Sequence, residues 1–137
     1  MQKAILYVCI GNACRSIMAE ALTKHHWADR YEAASAGIDP LGTVPKHTLE
    51  VLRLHGVPVD GLYSKHIRDL YLNQFDLIVN LSGYSLQPFV FAARHIRIVN
   101  CRVYDPFGQS LEVYQQTLKA IEQVVVKKVP KWLDGKK

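Results

Sequence analysis

Apolar positions along the chain fall into short unbroken runs separated by stripes of helical spacing. Lys3 to Cys9 (KAILYVC) is a run rich in strand formers, followed within two residues by Gly11-Asn12. It predicts a first strand buried on both faces. From Ser16 the positions Ile17, Met18, Ala21, Leu22 and His25 recur every three or four residues, so a tight loop leads straight into a helix. Tyr31 to Ala36 predicts a second strand, Leu77 to Leu81 (LIVNL) a third and Ile96 to Val99 a fourth. A helix over Pro45 to His55 is opened by its proline and closed by Gly56. Ser110 is placed to cap a long last helix with the apolar stripe Leu111, Tyr114, Leu118, Ile121 and Val125. In the stretch 60–75 Ser64 is placed to cap a short helix, and Pro88 to open another further on.

Strands alternating with helices predict an α/β fold: a three-layer, open twisted sheet of four parallel strands with helices on both faces. Ligands of such sheets usually bind where a strand hands over to its helix, which marks the loop after strand 1 as the expected ligand-binding loop. No repeat, linker or low-complexity segment interrupts the pattern. At 137 residues the chain is expected to be one domain over 1–137. The longest apolar stretch, Ala4 to Ile10, has seven residues, against roughly 20 for a membrane-spanning helix. It runs into Gly11-Asn12-Ala13-Cys14-Arg15 and not into a small-residue cleavage site, so a cytoplasmic protein with no membrane partner is expected.

Charge adds a direction. Seventeen Lys and Arg against twelve Asp and Glu give a net charge of +5, which favours anionic ligands. Nucleic acid is not expected, because no Arg-rich run, aromatic ribonucleoprotein motif or zinc-finger spacing accompanies the charge. The terminal lysines Lys127, Lys128, Lys131, Lys136 and Lys137 read as a solvated helix end. Cys9, Cys14 and Cys101 form neither an even-numbered disulfide framework nor a paired zinc motif, as suits a reducing compartment.

The segment Cys9-Ile10-Gly11-Asn12-Ala13-Cys14-Arg15-Ser16 carries the chemistry. Backbone N–H groups of a strand-to-helix loop, with the positive end of the helix dipole behind them, make a cradle for a tetrahedral oxyanion. Gly11 is expected to let the backbone turn inward. Arg15 can grip two oxygens of the anion with its planar fork. Cys9, facing the same helix start and the same arginine, is a candidate thiolate nucleophile, with Ser16 placed to donate a hydrogen bond to its sulfur. Cys14 lies five residues from Cys9 in one curved loop, within reach of a disulfide. A zinc site from Cys9, Cys14, His25 and His26 is the remote alternative. His47, His55, His66 and His95 read as surface or helix-end residues.

The run Cys9 to Glu20 (CIGNACRSIMAE) resembles the signature of the low-molecular-weight protein tyrosine phosphatases and of their relatives, the thioredoxin-coupled arsenate reductases. Ser35-Ala36-Gly37, His55-Gly56-Val57, Phe75 to Val79, Asp105-Pro106 and Glu112 to Gln116 resemble further family segments. The resemblance implies Cys9 as nucleophile, Arg15 as phosphate clamp, Ser16 as thiolate partner and Asp105 as general acid, then base. The loop residues Ile10, Gly11, Asn12, Ala13 and Cys14 would bind the phosphoryl group, Asn12 and Ser35 would support the loop, and Cys14 would protect Cys9 reversibly from peroxide. The mechanism so implied runs through a phosphocysteine and calls for no metal or cofactor. A phosphorylated protein or small aryl phosphate is the expected substrate, and a monomer is favoured.

Where tyrosine phosphatases of this family carry two tyrosines after Asp-Pro, the chain has Phe107-Gly108, leaving Phe107 to stack on a phenol ring. The loop after strand 2, Asp39-Pro40-Leu41-Gly42, has no aromatic residue. The arsenate reductases use two further cysteines on the loop after strand 3, where the chain has Ser82 and no thiol. Arsenate reduction with an external thiol is therefore the second reading. A non-catalytic oxyanion-binding module is the third.

Overall fold

The computed structural model describes residues 2–90 and 96–135; His95, Lys136 and Lys137 lie outside them. Four parallel strands, β1 (Lys3–Cys9), β2 (Tyr31–Gly37), β3 (Leu77–Asn80) and β4 (Arg97–Asn100), form one sheet in the order β2-β1-β3-β4. β1 pairs with β2 on one side and β3 on the other. Ile5, Tyr7 and Cys9 enter one core, and Ala4, Leu6 and Val8 the other. That double burial is why β1 reads as a continuous apolar run and not as an alternating one. β3 stops one residue before the predicted Leu81, whose N–H still donates to the Val8 carbonyl at 2.8 Å.

The two faces are covered unequally. α1 (Arg15–His26), α2 (Lys46–Leu54) and α4 (Leu111–Gln123) pack over the larger core. Single 3-10 turns at Ile67–Asp69 and Leu72–Gln74, with α3 (Gln87–Val90), cover the smaller one. Pro88 occupies the second residue of α3, where a missing N–H costs no helical bond. α1 is buried from Arg15 through Thr23, because it lies between the sheet and α4. His25, predicted to belong to its apolar stripe, is exposed with the rest of the last turn.

Two further expectations are revised. Ser64 caps no helix: its hydroxyl donates to the Gly11 carbonyl and accepts from the Gly42 N–H, both at 3.0 Å. The 3-10 turn that follows is capped by His66, whose Nδ1 accepts from the Arg68 N–H. The last helix is interrupted. A π-helical turn at Val124–Lys128 separates α4 from α5 (Val129–Asp134). Pro130 has no N–H to give and its ring crowds the carbonyl four residues back, so the helix widens and Val129 N–H reaches Val124. The Trp27 indole N–H donates to the Val125 carbonyl at 2.9 Å, satisfying an acceptor within the widened turn.

Candidate active site

Cys9 is the last residue of β1 and Arg15 the first of α1, so the residues between them form the whole connection. Protein donors occupy the carbonyls of Cys9, Ile10, Gly11, Ala13 and Cys14. Ile38 N–H binds the Cys9 carbonyl, Asp39 N–H that of Ile10, Leu41 N–H that of Gly11 and Met18 N–H that of Cys14, at 2.8–3.2 Å. Thr48 Oγ1 takes the Ala13 carbonyl at 2.9 Å. By contrast, the N–H groups of residues 10–14 donate to no acceptor among the described residues. A loop with engaged carbonyls and unengaged amides, set before a 12-residue helix, is electropositive at its surface.

The inward turn is made at Asn12 and not, as expected, at Gly11. Asn12 is the non-glycine residue with left-handed backbone among the described ones, at φ +46°, a conformation asparagine tolerates better than most. Gly11 has room for a methyl group, with the nearest atoms at 3.8 Å. The glycine that the loop does require is Gly37. A Cβ there would lie 2.6 Å from the Ile10 carbonyl oxygen and 2.9 Å from the Asn12 nitrogen.

Behind the loop the predicted supports form one buried polar chain. Cys9 Sγ lies 2.9 Å from Ser16 Oγ. Asn12 Nδ2 donates to Ser16 Oγ at 2.8 Å and to Ser35 Oγ at 2.9 Å, and Asn12 Oδ1 accepts from the Lys65 N–H. An ionised Cys9 has no proton, so Ser16 is then the donor to sulfur. The Ser35 hydroxyl in turn donates a hydrogen bond to Glu20 Oε1. Beyond it Lys65 Nζ donates to the Ser35 and Tyr63 carbonyls at 2.9 Å, 4.0 Å from Glu20. Burial lowers the ammonium's pKa, and Glu20 opposes that effect. Glu20 lies within the predicted signature without a role there; Lys65 gave no signal, because a single lysine in a loop reads as surface.

Arg15 is 4% exposed and its fork is divided. Nη1 donates to the carbonyls of Leu81 (3.0 Å) and Val103 (3.1 Å), and Nη2 lies 3.6 Å from Asp105 Oδ2. Nε has no partner and is the buried side-chain nitrogen so left among the described residues. Asp105 is half exposed, its Oδ1 fixed by the Phe107 N–H at 3.0 Å.

Cys9, Ile10, Gly11, Ala13, Cys14 and Arg15 line an open cleft, joined by Asp39 and Leu41 after β2 and by Asp105 and Phe107 before α4. The predicted nucleophile, clamp, acid and phenol contact are therefore together. Asn12, Ser16 and Ser35, fully buried, stand behind the wall. Asp39 and Leu41 escaped sequence reading, which looked there for an aromatic side chain. Cys9 and Cys14 are unpaired thiols. Cys14 Sγ lies 3.6 Å from the Tyr114 hydroxyl, and burial pushes both groups' pKa values up, so Cys14 is a thiol at neutral pH. His25 and His26 sit in the last turn of α1, about 15 Å along the helix from the loop. Among the described residues no group of three His, Cys, Asp or Glu side chains is arranged to hold a metal ion, which removes the zinc alternative. Nor is any helix there long and apolar enough to cross a membrane.

Known proteins resemble this chain in sequence and fold. Arsenate reductase 1 of Bacillus cereus is 31% identical over 115 residues, 84% of this chain and 85% of the relative. A solved arsenate reductase in a phosphate-binding state superimposes with a TM-score of 0.81 at 27% identity, over 90% of this chain and 94% of that one. The low molecular weight protein tyrosine phosphatase of T. tengcongensis gives 0.81 at 27%, over 95% and 99%. The family model for low molecular weight phosphotyrosine protein phosphatase matches residues 4–136. Signature loop, sheet order and whole-chain similarity agree, and the chain belongs to the low molecular weight phosphotyrosine protein phosphatase family, in a superfamily that includes arsenate reductases.

Proposed function

We propose that the protein is a cysteine-dependent phosphomonoesterase working through a phosphocysteine intermediate. The observation that carries this reading is Asp105, a carboxylate fixed by the Phe107 N–H in the same cleft as Cys9 and the unpartnered Nε of Arg15. An oxyanion binder needs neither a nucleophile nor an acid. Cys9 sulfur attacks phosphorus, the P–O bond to the leaving group breaks, and protonated Asp105 gives its proton to the departing oxygen. Water then attacks the phosphocysteine, Asp105 takes its proton, and the P–S bond breaks to release phosphate and the thiolate. The loop amides with Arg15 Nε and Nη2 bear the charge of the equatorial oxygens in both steps. Phe107 and Leu41, both about half exposed at the cleft, offer apolar surface to an aryl leaving group.

Arsenate reduction is the second reading, favoured by the relatives that bear that name. Against it, Ser82 occupies the loop after β3 with its hydroxyl bonded to Asn80, and the third thiol, Cys101, packs against the larger core. The deciding experiment is hydrolysis of p-nitrophenyl phosphate near pH 6 without metal, for wild type and Cys9→Ser, with arsenate-dependent thiol oxidation on the same samples. Hydrolysis lost in Cys9→Ser supports the phosphatase. Thiol oxidation without hydrolysis supports the reductase, and silence in both assays supports a binding module.

A further inference from the structure

The cleft continues past Asp105 into a second depression that the chemistry above does not use. It shares Ile10, Arg15 and Asp105 with the reaction cleft and adds Ser82, Tyr84, Arg102 and Tyr104. Arg102 follows β4 and is exposed, and among the described residues no carboxylate pairs with it. Asp105 also lines the depression, but its charge faces Arg15 Nη2 at 3.6 Å. The unbalanced charge there is the Arg102 guanidinium.

That guanidinium lies on a prepared surface. A Cβ at Gly83 would come within 3.2 Å of Arg102 Cδ and Nε, so the arginine side chain lies close against the backbone of the loop after β3. Asn80, 2% exposed, pins that loop. Its Oδ1 accepts from Ser82 N–H (3.1 Å) and Oγ (2.6 Å), and its Nδ2 donates to the Tyr84 carbonyl (2.6 Å) and to Asn100 Oδ1 (3.0 Å). Tyr84 N–H closes the turn on Ser82 Oγ at 3.0 Å. Tyr84 and Tyr104, 62% and 69% exposed, present large amphipathic side chains beside the cation. A fixed loop, an unpaired arginine and two tyrosines are the composition of a peptide-recognition subsite.

We propose that this depression is a specificity subsite for a carboxylate side chain flanking the phosphorylated residue of a peptide or protein substrate. The proposal rests on the phosphatase reading for its substrate, and on Arg102 for its recognition. The phosphoryl group occupies the Cys9 loop while the neighbouring carboxylate meets the guanidinium, so acidic sequences are selected through binding and not through the chemical step. Because the pair is solvent-accessible, its contribution is modest, about two- to fivefold, and falls as salt is raised.

The test is equilibrium binding of peptides carrying phosphonomethyl-phenylalanine, a non-hydrolysable phosphotyrosine analogue, flanked on either side by Glu or by Gln. Wild type is expected to bind at least one Glu peptide about two- to fivefold more tightly than its Gln partner, with the ratio shrinking in 0.5 M NaCl. Arg102→Ala brings the ratio to about one, and Arg102→Glu inverts it. A wild-type ratio near one for both flanks, or a preference that survives Arg102→Ala, overturns the subsite. Hydrolysis of p-nitrophenyl phosphate by the same wild-type sample reads the other claim. Turnover with no Glu preference refutes the subsite alone, whereas a Glu preference without turnover refutes the phosphatase reading and retains the subsite.

Discussion

Replacing Gly37 by alanine tests how tightly β2 is built against the oxyanion loop. The φ of Gly37 is not left-handed, so alanine is compatible with the backbone and the perturbation is one of space alone. The new methyl would stand 2.6 Å from the Ile10 carbonyl oxygen, 2.9 Å from the Asn12 nitrogen and 3.0 Å from Asn12 Cβ, well inside the roughly 3.5 Å at which such atoms attract. Two of these three atoms are backbone and the third is fixed by it, so no rotamer change relieves the clash and the loop itself must move. Overpacking of this kind costs about 1–3 kcal/mol. The reduced entropy of the unfolded chain returns about 0.4–1 kcal/mol of that. At about 4 °C per kcal/mol for a chain of this size, the midpoint of thermal unfolding by circular dichroism should fall by up to about 10 °C. Displacing the loop by a fraction of an ångström should also lower kcat/KM for p-nitrophenyl phosphate by at least about tenfold. Gly11→Ala is the matched control, since its methyl meets nothing nearer than 3.8 Å, and its melting temperature should stay level with wild type or rise by up to about 4 °C. A Gly37→Ala protein with wild-type melting and wild-type kcat/KM would refute the claim that this contact sets the loop.

Asp105→Asn keeps the carboxamide oxygen that Phe107 binds but cannot donate the proton of an acid, so aryl phosphate hydrolysis should slow by about 10²–10⁴-fold; steady-state kinetics showing no loss would remove Asp105 from the chemistry. Lys65→Met leaves the Ser35 and Tyr63 carbonyls without their donor and Glu20 without one of its cations, and should cost about 1–3 kcal/mol, read from urea unfolding at neutral pH. At Glu122 burial opposes ionisation, but hydrogen bonds to His26 and His55 outweigh it and hold the carboxyl below the usual range. A carboxyl depressed in the folded state stabilises fully above its unfolded pKa of about 4.3 and loses that contribution as pH falls through the folded value. Urea midpoints of wild type and Glu122→Gln should therefore differ near pH 5 to 6 and converge as the solution is acidified further.

The parts of the site legible in the sequence are those whose partners are neighbours along the chain. Cys9, Asn12, Arg15 and Ser16 sit in one loop of fixed length, and a strand buried on both faces announces itself by composition. Asp105 became legible only through the family resemblance, because an Asp-Pro dipeptide by itself is an ordinary turn. The supports behind the loop were only partly visible. Ser35 to Asn12 and Lys65 to Ser35 are separated by 23 and 30 residues, and nothing local distinguishes a lysine that ends on buried carbonyls from one in solvent. Ser64 was misread for a related reason, since the hydroxyl that fits a helix cap also cross-links two loops. The break in the last helix had a local cause in Pro130, but an uninterrupted apolar stripe across it masked the change of pitch.

Arg15 ties two strand ends together: the carbonyls it holds belong to Leu81, just after β3, and Val103, just after β4. β4 is an edge strand, paired among the described residues only with β3, and edge strands open at lower free energy than the centre of a sheet. Fraying of β4 therefore releases the guanidinium from one anchor and carries Asp105 away from it while β1 and its two cores remain closed. Mild denaturant should in consequence silence the enzyme before it melts the protein, with the amides of β4 exchanging in deuterium oxide ahead of those of β1.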